Sequence, residues 1–211
     1  MKLILNTLVL ALCVASVSCS SVKYGDPTDE ETVNIKFGIT DRQRMTDTMV
    51  QSLLEAPGLA YLDHSGKGDD KRVIIYMGSI ENRTSEHIDT TGISDSIRVS
   101  LLKSGRFRLV AGKQGQAEID EQVRFQQGSG KVNPAQAKEF GKQLGADVIL
   151  YGVLRSIEKK RGRSLESGGV KTRRTDYQFT LNCENIETAE FIWADEKDIT
   201  KSEKTGLFGS N

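Results

Sequence analysis

Val148-Ile149-Leu150-Tyr151, then Tyr177-Gln178-Phe179-Thr180-Leu181-Asn182-Cys183, then Phe191-Ile192-Trp193 are three strand-forming segments with no helical pattern between them. The first opens on a continuous apolar run and extends to about Ile157. The second alternates strictly, so Tyr177, Phe179, Leu181 and Cys183 share one buried face while the residues between them are polar. The third follows a turn at Ile186–Ala189 and dissolves into charge by Asp198, leaving the last dozen residues as a frayed end. Three strands in succession, joined by short links, read as an antiparallel meander.

Upstream of the meander the pattern changes to alternating helices and strands. Val73-Ile74-Ile75-Tyr76-Met77 is a short β-branched apolar run, the signature of a buried central strand. Phe107 and Leu109 alternate with Arg106 and Arg108 in a second, half-wet strand. Between these two, Asp89, Thr90 or Thr91 caps a helix carrying Ile93, Ile97 and Leu101, and Gly105 stands where a left-handed terminator belongs. An earlier helix starts at Thr40 or Asp41, places Met45, Met49, Val50 and Leu53 on one side, and ends at Pro57-Gly58. Ile119 and Val123 mark a short helix, and Asn133-Pro134 starts another whose inward stripe is Ala137, Phe140 and Leu144. The expected fold is therefore α+β: a small mixed sheet of about five strands packed by about four helices, with a C-terminal antiparallel meander.

The 211 residues suffice for one domain and a tail, and 37% apolar with 27% charged residues describes a globular body. Basic and acidic residues balance at 29 each, which argues against a general polyanion binder and against nucleic acid as a partner. Three Cys and two His exclude a disulfide scaffold and leave few ligands for a metal.

The N-terminus is an address. Lys2 precedes an apolar run from Leu8 to Val17, about half of the roughly 20 residues that cross a bilayer, and small residues follow. Ser16-Val17-Ser18-Cys19 resembles the bacterial lipobox, which implies cleavage before Cys19 and acylation of that residue. Ser20, rather than Asp, after the cysteine favours the outer membrane. The expected organisation is a signal peptide over 1–18, a lipidated flexible tether over 19–36, a globular domain over 37–200 and a frayed tail over 201–211. The tether carries Gly25, Pro27 and the acids Asp26, Asp29, Glu30 and Glu31; residues 20–37 reach at most about 60 Å extended and about 25 Å as a coil.

Catalytic patterns fail on inspection. Gly128-Ser129-Gly130-Lys131 lacks the phosphate-loop glycine at Phe125, has Val132 where the magnesium-binding hydroxyl belongs, and follows a helix. His64 and His87 stand in polar loops without a partner at ligand spacing, and Asp69-Asp70 has no apolar setting to separate two pKa values. Cys183 falls on the apolar phase of its strand and reads as a core thiol. No cofactor is expected. Asn82-Arg83-Thr84 fits backbone work, its side chains satisfying turn amides at the end of a central strand.

One charge feature departs from the neutral total. Lys159, Lys160, Arg161, Arg163, Lys171, Arg173 and Arg174 place seven cations in sixteen residues around the turn between the third and fourth strands, offset by Glu158 and Glu166. Such a hairpin is either an edge guarded by charge or a docking patch for an anion. For an exported protein the available anions are lipid headgroups, cell-wall polymer or an acidic protein face.

Taken in order, Ile80-Glu81-Asn82-Arg83-Thr84, Gly105-Arg106-Phe107-Arg108-Leu109-Val110, Leu144-Gly145-Ala146-Asp147 with Val148-Ile149-Leu150-Tyr151-Gly152, and Thr188-Ala189-Glu190-Phe191-Ile192-Trp193 resemble the penicillin-binding protein activator family LpoB, from about 72 to 200. The resemblance implies a fold similar to the N-terminal domain of TolB, no catalysis, an outer-membrane anchor on the periplasmic side, and a class A penicillin-binding protein as partner. It further implies a contact face including Tyr151 and the exposed side of helix 134–144 with Gln136 and Lys142. The tether is shorter and poorer in proline than is typical of the family, and the hairpin is more basic. Two other readings stay open: an envelope module similar to the periplasmic domain of curli secretion channel lipoproteins, and a cell-wall or lipopolysaccharide binding module built on the hairpin.

Overall fold

The structure, a computed structural model, describes residues 26, 29–30, 34–62, 67–133, 145–163 and 169–206. Five strands form one sheet: β1 (Val73–Arg83), β2 (Phe107–Leu109), β3 (Val148–Arg161), β4 (Lys171–Asn185) and β5 (Phe191–Thr205). Their spatial order is β2-β1-β3-β4-β5. β2 and β3 run parallel to β1 on either side of it, while β4 and β5 complete an antiparallel meander. The described helices are α1 (Ile39–Leu54), α2 (Thr90–Ser104) and α3 (Lys113–Gly128), with a 3-10 turn at Pro57–Tyr61. The mixed α+β architecture read from the sequence is the one observed. The fourth expected helix, 134–144, lies outside the described residues.

The core lies between one face of the sheet and α1 and α2. Met45, Met49 and Leu53 of α1 and Ile93, Ile97 and Leu101 of α2 meet Ile75, Val148, Leu150, Leu154, Tyr177, Phe179, Leu181 and Cys183, all at most 1% exposed. Each large apolar side chain so buried stabilises the fold by about 1.5–3 kcal/mol relative to water. Close approach fixes Gly152 at the centre of β3, because a Cβ there would stand 2.5 Å from the Thr180 carbonyl oxygen.

The α2 signals act as read: the Asp89 carboxylate accepts from the Thr91 amide (3.0 Å), and Gly105 terminates the helix at φ +67°. α1 begins one turn earlier than its sequence signals suggest. Gly38 occupies the cap, and Asp41 is the third helical residue, accepting from the Gly38 amide at 2.9 Å. α3 runs sixteen residues, longer than the Ile119–Val123 pattern indicated, and Val123 is its buried hydrophobic residue.

Two boundaries move. β5 does not fade at Asp198 but remains paired with β4 as far as Thr205 opposite Lys171. Its alternating charges resemble a frayed end, yet an edge strand needs few apolar side chains when its ladder bonds come from a long neighbour. Within this stretch Lys201 is an anchor: its ammonium meets the Asp41 carboxylate at 2.9 Å and the Lys36 carbonyl at 2.6 Å, with both charged side chains largely buried. At the other terminus, Ile35 and Lys36 belong to the packed body rather than to the leader. Ile35 is buried, its carbonyl accepts from the Tyr177 hydroxyl (3.2 Å), and Phe37 meets the Tyr177 ring edge-on at 5.6 Å.

Candidate interaction surface

β1 continues past its apolar run to Arg83, with a register shift between Met77 and Ile80. Gly78 sits in that irregularity, where a Cβ would stand 2.9 Å from the Leu150 carbonyl oxygen and 3.2 Å from the Tyr151 Cβ. The strand then delivers Asn82-Arg83-Thr84 to the start of the 84–89 loop. Asn82 does the work expected of it: its amide nitrogen donates to the Glu86 (2.9 Å) and Ile88 (3.3 Å) carbonyls, and its amide oxygen accepts from the Thr84 amide and hydroxyl. Arg83 pairs with Glu81 at 2.8 Å. The loop so shaped projects Glu86 across to Tyr177, whose hydroxyl donates to it, and to the Phe37 amide at 3.2 Å. Burial, reinforced by the Glu86 hydrogen bond, holds the Tyr177 hydroxyl far above the ordinary phenol range. This network ties the chain entry, β1 and β4 together and leaves no reactive group in it.

Tyr151 lies on the sheet face turned away from α1 and α2, paired with Asn182 and half-buried. Its hydroxyl donates to Glu184, and that bond, more than burial, raises its pKa. Near it, a cavity of about 510 Å³ opens between the β1 irregularity and the start of α2, lined by residues that include Tyr76, Gly78, Thr91, Arg98 and Ile149. Gln136, Lys142 and Cys19 lie outside the described residues.

The basic residues are brought together by the β3–β4 ladder. Lys159 stands directly opposite Arg174, and Lys160 directly opposite Arg173. Like charges in that position are destabilising. Carboxylates offset some of this: Lys160 reaches Glu158 at 3.2 Å, Arg174 reaches Asp176 at 2.8 Å and Arg173 reaches Glu203 at 3.9 Å. Arg163 is spent on a backbone bond, donating to the Gly206 carbonyl at 2.9 Å. Sequence reasoning missed two further members. The parallel β1–β3 register sets Arg83 opposite Arg155, extending the cationic rows onto a third strand. No local pattern links residues 72 positions apart; only the pairing of β1 with β3 joins them. Tyr151 is not part of this cluster, being eight residues back along β3 from Lys159, about 26 Å.

The described residues hold no group of three or more His, Cys, Asp or Glu able to bind a metal. His87 is exposed in the 84–89 loop, and His64 lies outside the described residues. Cys183 is fully buried, and burial pushes its thiol up to about 12, away from nucleophilic duty.

The model of the family described as peptidoglycan-synthase activator LpoB matches residues 41–199. The chain belongs to the LpoB family. Solved LpoB C-terminal domains are distant relatives in sequence. That of Salmonella enterica is 16% identical with a TM-score of 0.43, the match covering 75% of this chain and 98% of that one. That of Escherichia coli is 17% identical with a TM-score of 0.43, covering 76% and 99%. Lipoprotein GNA1162 from Neisseria meningitidis is 15% identical with a TM-score of 0.35, covering 62% and 83%. A search of curated protein sequences returns no match. The LpoB family is one of regulatory activators, in keeping with a site made of surfaces. No helix among the described residues is long and apolar enough to cross a membrane.

Proposed function

We propose that this protein is an outer-membrane lipoprotein that binds a class A penicillin-binding protein and raises its synthesis of peptidoglycan. The observation that carries the reading is the LpoB family match over 41–199, which spans the sheet and its helices. The lipobox at Ser16–Cys19 supplies the anchor: Cys19 is acylated after removal of 1–18, and the domain hangs from the periplasmic face of the outer membrane. A triacylated cysteine holds firmly, at about 0.8 kcal/mol per buried methylene.

The contact face is the Tyr151 end of the sheet, extended by Gln136 and Lys142. Tyr151 suits it because a tyrosine adds a large contact area at small conformational cost, and its ring is already held by Glu184. The mechanism is differential affinity: the domain binds the active conformation of the synthase better than the resting one and shifts its population accordingly.

The test adds the mature chain carrying Cys19→Ser to a purified class A synthase from the same organism and follows glycan polymerisation and crosslinking. A rise in both rates with a detectable complex is expected, and Tyr151→Ala weakens the complex. An unchanged rate with no complex removes the assignment.

A further inference from the structure

We infer that the hairpin end of β3–β4 is a foot for an anionic phospholipid surface, placed so that the Tyr151 end of the domain points away from the membrane. Three rows of cation against cation, Arg83–Arg155, Lys159–Arg174 and Lys160–Arg173, cross adjacent strands at this end. Like charges set opposite one another repel, a repulsion that the carboxylates beside Arg83, Lys160, Arg173 and Arg174 only partly offset. Among the described residues Lys159, Arg161 and Lys171 make no ion pair within 4.0 Å, and Lys159 acts on Asp176 only at longer range. Ile157 lies between Arg155 and Lys159 on the same face and is 63% exposed, an apolar side chain among cations as an interfacial surface requires.

What selects lipid over another anion is where the chain enters. Ile35 and Lys36 are bound by Tyr177 and Lys201, and Lys201 stands opposite Thr175, one residue from the Lys159–Arg174 row. Upstream of them Asp29, whose carbonyl accepts from the Thr40 hydroxyl (3.2 Å), is also held on α1, and the nine residues between Cys19 and Asp29 reach at most about 34 Å extended and about 17 Å as a coil. A lipid on Cys19 therefore draws this end to the surface, and the Tyr151 end stands about 26 Å further out. The acids facing the same end are Asp176, Glu158, Glu203 and Glu81, each occupied by a cation of these rows, together with Asp198 in the groove beside Arg155. Glu30 is occupied by Arg44 at 3.2 Å.

The inference takes its orientation from the Cys19 anchor proposed above, but its test does not use the anchor. The mature chain with Cys19→Ser is sedimented with vesicles of phosphatidylglycerol and phosphatidylcholine, and with phosphatidylcholine alone, at low and physiological salt. Binding to the anionic vesicles that weakens with salt is expected. Replacing Lys159, Arg161 and Lys171 together by Gln lowers partitioning about a hundredfold, at roughly fivefold per cation, while a melting curve shows the fold intact. Replacing Lys103, Arg124 and Lys131 by Gln removes the same net charge elsewhere and changes binding by no more than about threefold.

Equal binding to neutral vesicles, retained binding in the hairpin variant, or an equal loss in the control variant overturns the inference. So does absence of vesicle binding, and if the hairpin variant then loses affinity for the purified synthase, the foot is an acidic-protein contact instead. Synthase stimulation measured without membranes separates the two readings. Vesicle binding without stimulation refutes the activator assignment alone, and stimulation without vesicle binding refutes the foot alone.

Discussion

The two halves of the β3–β4 ladder share one continuous set of backbone pairs from Val148–Asn185 to Arg161–Thr172, yet they are held by opposite means. In the first half Val148, Leu150, Leu154, Phe179, Leu181 and Cys183 are buried against two helices. In the second half β3 is exposed from Ile157 onward, and two of its rows, Lys159–Arg174 and Lys160–Arg173, set cation against cation. The first half explains why the domain folds. The second half runs beyond the buried rows and sets like charges opposite one another, an arrangement that the core does not require.

The sharpest way to break that comparison is to remove one large side chain from each half. Phe179→Ala should cost about 3–5 kcal/mol in urea unfolding, whereas Ile157→Ala should fall within about 0.5 kcal/mol of the parent. Similar losses would show that the hairpin half belongs to the core after all. Next in size, Lys201→Ala leaves the Asp41 carboxylate buried without its cation and should cost about 3 kcal/mol; a loss below about 1 kcal/mol would return β5 beyond Asp198 to the frayed end the sequence suggested. Asn82→Ala frees two loop carbonyls and two donors of Thr84, and about 1–3 kcal/mol is expected, together with faster hydrogen exchange in residues 84–89. Smaller and of opposite sign, Lys159→Glu replaces a like-charge row with an ion pair opposite Arg174 and should stabilise by a few tenths of a kcal/mol.

The smallest effect near neutrality belongs to Cys183. Its thiol is raised in the fold to about 12. The neutral form is thus the native one, and its contribution is complete below the unfolded thiol value of about 8.5 and is lost as the pH climbs toward the folded value. Stability measured by urea should fall across that alkaline window, and Cys183→Val should flatten part of the fall while leaving thermal stability near neutral pH little changed. A disulfide-exchange reagent at mildly alkaline pH should label Cys183 only on unfolding.

The order of elements was legible because each core strand announces itself by period and each helix by its cap and stop. Asp89 and Gly105 do in the structure what their residue types require. What could not be read depended on partners remote in sequence. β5 lacks an apolar pattern because β4 provides its pairing, and Lys201 became structural only when α1 delivered Asp41 to it. Arg155 joined a cationic surface through a parallel strand that brought Arg83 alongside. Of the site, the hairpin cations were visible as composition, and the opposition of like charges was not, since that needs register. Tyr151 could be numbered but not oriented, since the face that it occupies depends on which side of the sheet α1 and α2 cover.

β5 closes one side of the sheet; Gly58 of the 3-10 turn lies against its Ile192 carbonyl, and α1 meets it at Trp193 through Ser52 and at Lys201 through Asp41. Beyond Ile192, Asp195, Glu196, Lys197, Asp198, Glu203 and Lys204 line the strand that ends the sheet order, with no further described strand paired to it. A bare edge strand invites copies to zip together. The mixture of signs along this rim makes such stacking costly, so copies of the chain remain individuals rather than seeds of a fibre.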